Sequence, residues 1–163
     1  MDLTILTVLP IFLSGVIVGM IVFHAGIIAP SLFKKFSAAE VGPFLRTVFP
    51  QLFLLVLGIG ICSLLVSFLN NGSMVGKIVS FITVALMGIC YAIIPATNSA
   101  KDSGDETAFK RLHRLSVILT VTVLCLNSFW IPFVWIGRMK TAPIVGRYNK
   151  WTNCITTMLA THF

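Results

Sequence analysis

Charge is what this chain has least of. Only 10% of its 163 residues are Asp, Glu, Lys or Arg, where soluble domains carry about 25%, and 57% are hydrophobic. A fold of this size in water must cover a large surface with polar groups. A soluble enzyme domain and a disordered segment are therefore both excluded. Cysteines number 4, set singly at Cys62, Cys90, Cys125 and Cys154, too sparse for a disulfide-stapled secreted module. Walker loop, HExxH, GxSxG and CxxC patterns are all lacking, so hydrolase and ATPase readings have no footing. The basic residues sit on no soluble helix or strand that could face nucleic acid.

What the chain has instead is four runs without a single Asp, Glu, Lys or Arg: 3–33, 47–76, 78–100 and 115–137, with lengths of 31, 30, 23 and 23 residues. A helix needs roughly 20 apolar residues to cross the hydrocarbon core, and every run exceeds that. Trimmed by turn signals, the spans are expected at about 5–29, 49–69, 78–96 and 115–136. A transmembrane barrel would instead alternate polar and apolar residues over roughly ten-residue segments, and LFLLVLGIGICSLLVSFL does not alternate. The first run is also unlike a signal peptide, which wants a basic n-region and a short apolar core; here the start is Met1-Asp2 and the run is long. The fold class expected is all-α: a polytopic membrane protein, an antiparallel four-transmembrane-helix bundle over residues 1–137. Asn70-Asn71-Gly72-Ser73 reads as a tight turn between spans two and three. The basic tail, 138–163, has Trp151, Ile155, Met158, Leu159 and His162 at helical spacing, which suits a short interfacial helix or a loosely ordered end.

The net charge of +7 gathers at the span ends, where basic side chains anchor to headgroups. Lys34, Lys35 and Arg46 lie in loop one, and Lys101, Lys110, Arg111 and Arg114 in loop three. Lys77, Arg138, Lys140, Arg147 and Lys150 lie on the opposite side. The positive-inside rule then places loops one and three inside and both termini outside, in a plasma membrane or bacterial inner membrane.

Helices in lipid associate through small residues that let backbones approach closely. Gly15, Gly19 and Gly26 in span one, and Ala85, Gly88, Ala92 and Ala96 in span three, are expected to face neighbouring helices of the same chain. Span two offers Gly60, Ser63 and Ser67. Span four carries a polar stripe of His113, Ser116, Thr120 and Asn127. Its hydroxyls are expected to bond their own helix and Asn127 a neighbouring one; a polar lining for a small pocket is the other reading.

No acid, Lys or Arg lies within a span, which argues against a proton-driven carrier. His24 sits roughly 9 Å below the loop-one side, where such a residue is expected to donate to a carbonyl or a hydroxyl, Thr120 being one candidate partner. A haem or metal held by His24 and His113 is an alternative, as is copper held at the level of Met20 and Cys90, near Met87, Cys62 and Cys125. His113 as base with Ser116 as nucleophile would make a lipid-directed enzyme, a reading weakened by the habit of helical Ser of bonding its own backbone.

Taken in order, G-x-x-x-G-x-x-x-F-H-A-G from Gly15, P-S-L-F-K from Pro30, R-T-V-F-P-Q-L-F from Arg46, I-P-A-T-N-S-A from Ile94 and F-K-R-L-H-R-L-S from Phe109 resemble the transmembrane protein 205-like family. These are small four-helix membrane proteins, grouped mainly as a domain of unknown function. The resemblance spans most of residues 10–130 and omits the tail from Arg138. It marks Gly19, Gly26, Pro30, Phe33, Phe49, Pro50, Asn98, Phe109, His113 and Ser116, and it implies no reaction. The expected working face is the membrane face of loops one and three: Pro30, Arg46, Pro50, Asn98, His113, Arg114 and Ser116. The function expected is that of a non-enzymatic membrane protein, an accessory subunit of a membrane complex or a small-solute or lipid-binding bundle. Its partners would be the lipid bilayer and other membrane subunits or further copies of itself, with no nucleic acid. A haem- or copper-binding protein in redox or metal handling is the alternative.

Overall fold

The structure is a computed structural model and describes residues 3–69 and 73–141. Every regular element among them is helical: α1 (Leu3–Phe23), a π-helical turn (His24–Ile28), α2 (Ala29–Lys35), α3 (Ala38–Leu69), α4 (Met74–Ala92), α5 (Ile94–Asp102) and α6 (Glu106–Thr141). Four helical stretches are long and apolar enough to cross a membrane: Val8–Lys35, Glu40–Leu69, Met74–Asp102 and Glu106–Pro132. This makes the chain an all-α, multi-pass membrane protein. The chain divides into two compact units, Met1–Ile131 and Pro132–Phe163; in the second, the described backbone is the last part of α6. The interfacial helix expected near Trp151, the lone Cys154 and the turn residues Asn70 to Gly72 fall outside the described residues.

The helices run further than the sequence suggested on the side of loops one and three. Pro30 was expected to close span one, because proline cannot donate to the carbonyl four residues back and its ring crowds that carbonyl. The chain instead widens into the π-helical turn and places Pro30 in the first turn of α2, where a missing N–H costs little. Helix then continues to Lys35. Loop one shrinks to Phe36 and Ser37. Pro43 and Pro50 lie inside α3, so Pro50 is a helical residue well past the helix start. Pro95 has a similar effect further on: α4 ends at Ala92, Ile93 forms a turn, and α5 carries Pro95 near its start.

The connections before α3, α4 and α6 are capped. Ser37 and Glu40 form the contact of an S-x-x-E box, with Ser37 N–H donating to Glu40 Oε2 at 2.9 Å. Ser73 Oγ accepts from Gly76 N–H at 3.1 Å at the start of α4. At the end of α5 the backbone turns through Gly104 at φ +74°, with Gly104 N–H donating to Lys101 O and Asp105 N–H to Ala100 O. That doubly bonded ending requires a left-handed residue, which glycine supplies without strain. Asp105 then caps α6 by accepting from Ala108 N–H at 2.9 Å.

Packing runs from α1 to α3, and most extensively from α3 to α4. The buried cluster draws on all four long helices: Ile17 and Ile21 from α1, Phe53 and Val56 from α3, Met87 and Cys90 from α4, and Val123 from α6. Large apolar residues such as Phe12, Leu65, Phe81 and Phe129 point outward, an arrangement that water would punish and lipid tails cover. The interior is correspondingly polar in places, with Ser14, His24, Ser63, Ser67, Ser80, Thr83 and Asn127 all buried.

The small residues divide unexpectedly. Gly60, Ser63 and Ser67 of α3 are buried, as span two suggested. Gly60 lies so close to α4 that an added Cβ would stand 3.2 Å from Val84 Cγ2. On α1 and α4 the expectation fails. Gly15, Gly19 and Gly26 are exposed, as are Ala85, Ala92 and Ala96, and a Cβ on Gly15, Gly19, Gly26 or the half-buried Gly88 would meet nothing within 4 Å. The inward arc of α1 is Ser14, Ile17, Ile21 and His24 instead, and that of α4 is Gly76, Ser80, Thr83, Met87 and Cys90. Small residues repeat on both sides of these helices, so spacing alone did not say which side points in.

The tightest point is Gly76, where an added Cβ would lie 2.7 Å from the buried Trp130 ring. Gly76→Val is therefore expected to lower stability by about 1–3 kcal/mol through overpacking, while Gly15→Ala leaves it within about 0.5 kcal/mol of the parent. Thermal unfolding of both variants in one detergent checks the contrast; equal losses would show that Gly76 is not the closer contact.

Candidate functional site

The face expected from loops one and three is organised around an ion pair that links α3 to α5. Arg46 lies one residue before the charge-free run of α3, and Asp102 two residues after the run that ends in α5. Their side chains meet as a fork, Arg46 Nη2 donating to Asp102 Oδ1 at 2.5 Å and Nη1 to Oδ2 at 3.2 Å. Bidentate pairing of this kind fixes orientation as well as distance. The guanidinium, mainly through its hydrogen bond, holds the Asp102 carboxyl below the usual carboxylate range. A second pair joins α5 to α6: Lys101 Nζ donates to Glu106 Oε1 at 2.8 Å and stands 4.9 Å from the centroid of the Phe109 ring. Phe109 in turn stacks on His113 at 5.9 Å with the rings 10° apart. Arg46 was legible as a candidate, whereas Asp102, Lys101 and Glu106 were not singled out as its company; alternating charge on both sides of loop three was the available signal.

Four of the five acids of the chain lie on this face, and each has a local task. Asp102 and Glu106 are in the two ion pairs, Asp105 caps α6, and Glu40 is held below its usual range by hydrogen bonds from Ser37. Lys34, Lys35, Lys110, Arg111 and Arg114 are all exposed and form no ion pair among the described residues. Lys110 does sit one turn from Glu106 and adds to the depression of its carboxyl that Lys101 begins. The face thus keeps a cationic excess after its internal pairing is complete.

The other expected residues separate. Pro30 is exposed on α2, Pro50 and Asn98 are half-buried within α3 and α5, and His113 and Arg114 are exposed near the start of α6. Ser116 Oγ donates to His113 O at 2.9 Å and Thr120 Oγ1 to Ser116 O at 2.7 Å. Both hydroxyls are thus bonded within their own helix. Asn127 crosses to the neighbour as expected, with Nδ2 donating to Thr83 Oγ1 at 3.0 Å.

His24 stands apart from this face. It opens the π-helical turn and is only 7% exposed, and its ring meets Phe49 edge-on at 5.1 Å. The hydroxyl of Thr120 is turned to its own helix, and His24 Nε2 has no hydrogen-bond partner. An unpartnered buried imidazole nitrogen costs about 1–3 kcal/mol. His24 and His113 therefore have different ring neighbours, Phe49 and Phe109. Of the sulfur residues at mid-depth, Cys90 and Met87 are buried and Met20 packs against their cluster, while Cys62 and Cys125 are exposed. Cys90 Sγ donates weakly to Ser116 O at 3.8 Å. No cluster of three or more His, Cys, Asp or Glu suited to a metal occurs among the described residues.

Residues 12–105, more than half of the chain, match a family described as a domain of unknown function, DUF4149. The chain belongs to that family. The match runs from Phe12, within α1, through α5, including His24, Arg46 and Asp102, and stops just before α6. No curated protein and no solved structure matches the chain.

The Arg46–Asp102 pair makes a pH prediction. A carboxyl whose value is depressed by a partner contributes stability above the ordinary carboxylate range, and that contribution is lost as pH falls through the lowered value. In Arg46→Ala the Asp102 carboxyl should titrate higher than in the parent. Carbon-13 NMR of labelled aspartate in micelles reads this directly, and an unmoved Asp102 titration would deny the pairing.

Proposed function

We propose that this chain is a non-enzymatic membrane protein, an antiparallel four-helix bundle whose working face is the side of loops one and three. It serves as an accessory subunit of a membrane complex or as a small-solute or lipid-binding bundle. The observation that carries this reading is the cationic excess left at the start of α6 and the end of α2 after the acids of that face are engaged. A binding surface needs fixed, accessible groups, and the two ion pairs supply the rigid frame for them. The hydroxyl of Ser116 is turned back to its own helix, which weighs against its use as a nucleophile. The resemblance to the transmembrane protein 205-like family supports the same non-catalytic reading. The lipid bilayer and other membrane subunits, or further copies of this chain, are the partners it calls for, in a plasma or bacterial inner membrane with both termini on the outer side.

Replacing His113 and Arg114 together by Ala tests the reading. Capture of cross-linked neighbours from solubilised membranes should fall about tenfold, roughly 1.4 kcal/mol, with helix content unchanged by circular dichroism. Undiminished capture would remove this face from the function.

One observation favours the second reading, a haem- or copper-binding protein in redox or metal handling: the buried, unpartnered Nε2 of His24. That reading expects a Soret band or stoichiometric copper in protein purified in mild detergent, lost in His24→Ala. A colourless, metal-free preparation counts against it.

A further inference from the structure

Two helices project beyond the apolar runs on the working face. In α3 the nine residues 38–46 precede the charge-free run, and in α6 the nine residues 106–114 do the same. At 1.5 Å per residue each adds about 13 Å of helix, against a headgroup layer of roughly 5–8 Å on each side of the hydrocarbon. These turns, with the end of α2, therefore occupy the headgroup layer and its outer edge. Short side chains there meet phosphate and glycerol, and long or aromatic ones reach back to the edge of the acyl layer.

The exposed side chains at that level are of two kinds. Lys34, Lys35, Lys110, Arg111 and Arg114 carry positive charge, and the three on α6 share one side, since positions 110 and 114, and 111 and 114, are helical neighbours. Among them stand large aromatics: Phe33 is 61% exposed, Phe36 51% and Phe44 46%. Phe36 and Phe44 lie outside the charge-free runs, so a position inside the membrane-crossing spans does not account for their exposure. Phe33-Lys34-Lys35-Phe36 closes the turn between α2 and α3 with an alternation of ring and charge that suits neither water nor hydrocarbon. It suits the interface, where rings insert beneath the headgroups and ammonium groups reach the phosphates.

We infer that this surface docks anionic phospholipid headgroups, with the α2–α3 turn as an aromatic wedge and Lys110, Arg111 and Arg114 as the second phosphate-facing arm. The inference rests on the reading of this side as the working face and names its ligand. Charge complementarity selects the anionic lipid, because the acids that could have neutralised the cations from within are committed to Arg46, Lys101 and the helix caps. The exposed rings select a lipid over a free phosphate or an acidic polypeptide, since neither of those gives Phe36 and Phe44 an apolar layer to enter.

Native mass spectrometry of the full chain with equal amounts of dioleoyl phosphatidylglycerol and dioleoyl phosphatidylcholine tests this. The parent should retain the anionic lipid at least about tenfold over the zwitterionic one, given about fivefold for each cation held at headgroup level, and raising the salt should weaken the preference. Replacing all five cations by Ala should bring the ratio near one. Replacing Lys34, Lys35 and Lys110 by Arg should preserve it, which separates charge from misfolding. Lys77→Ala, a cation held over the Phe68 ring at the other end, should leave the ratio unchanged. Phe36→Ser with Phe44→Ser should lower retention of both lipids together. A parent ratio near one overturns the inference, as does a five-fold variant that keeps the preference. Undiminished cross-linking in the His113 and Arg114 variant instead overturns the working face itself, so the two failures are distinguishable.

Discussion

The close approach of α3 and α4 through hydrogen-bonded small residues, to which Asn127 of α6 reaches across, is the constraint on which the rest of the structure depends. In an apolar surround a polar side chain has no water to turn to, so each must find a partner within the protein. Ser63 and Ser80 bond each other at 2.9 Å, and Asn127 bonds both Thr83 Oγ1 and the Val123 carbonyl of its own helix. The bond between α3 and α4 needs the backbones near one another, and Gly60 provides that room, while Gly76 makes space for the Trp130 ring of α6. Burial of Leu against Leu gains little when the alternative is lipid. The seam of serine, threonine and asparagine thus specifies the register of three helices that hydrophobicity alone would leave free to slide.

Among the described residues, two buried polar atoms break this rule, His24 Nε2 and Ser67 Oγ. Ser67 lies one turn beyond Ser63 on α3, at the end of the same seam. His24 lies where α1 has just widened into a π-helical turn, a distortion often found at functional sites. The turn and Pro30 six residues later belong to one structural solution, because extra backbone length upstream lets helix resume through a proline. Its consequence is long-range: α2 survives to carry Lys34 and Lys35 on helix instead of loop.

The proposed working face follows from that continuity. Arg46 and Asp102 are 56 positions apart, and they meet because α3 and α5 both continue past the hydrocarbon as helix. Lys101, Glu106 and Phe109 extend the same frame to α6. Internal pairing uses up the acids of the face and leaves basic groups outward. A charge total in the sequence shows only the excess; the pairing shows which residues hold it.

Four charge-free runs of 23 residues or more determine a membrane-crossing, helical chain with no help from tertiary structure, because hydrocarbon admits few other solutions. The behaviour of Ser116 and Asn127 was equally legible, since short polar side chains on a helix have few partners within reach, whereas the contact considered between His24 and Thr120 is not made. Tertiary structure alone decided which side of α1 and α4 turns inward, because Gly15 and Gly19 satisfy the spacing of a packing motif whether or not a helix lies opposite. It also decided that helix continues through Pro30, and that Pro50, expected at the start of span two, lies well inside α3. A proline ends a helix only when the carbonyl it displaces has no other arrangement, and that depends on the backbone around it, which composition and spacing do not encode.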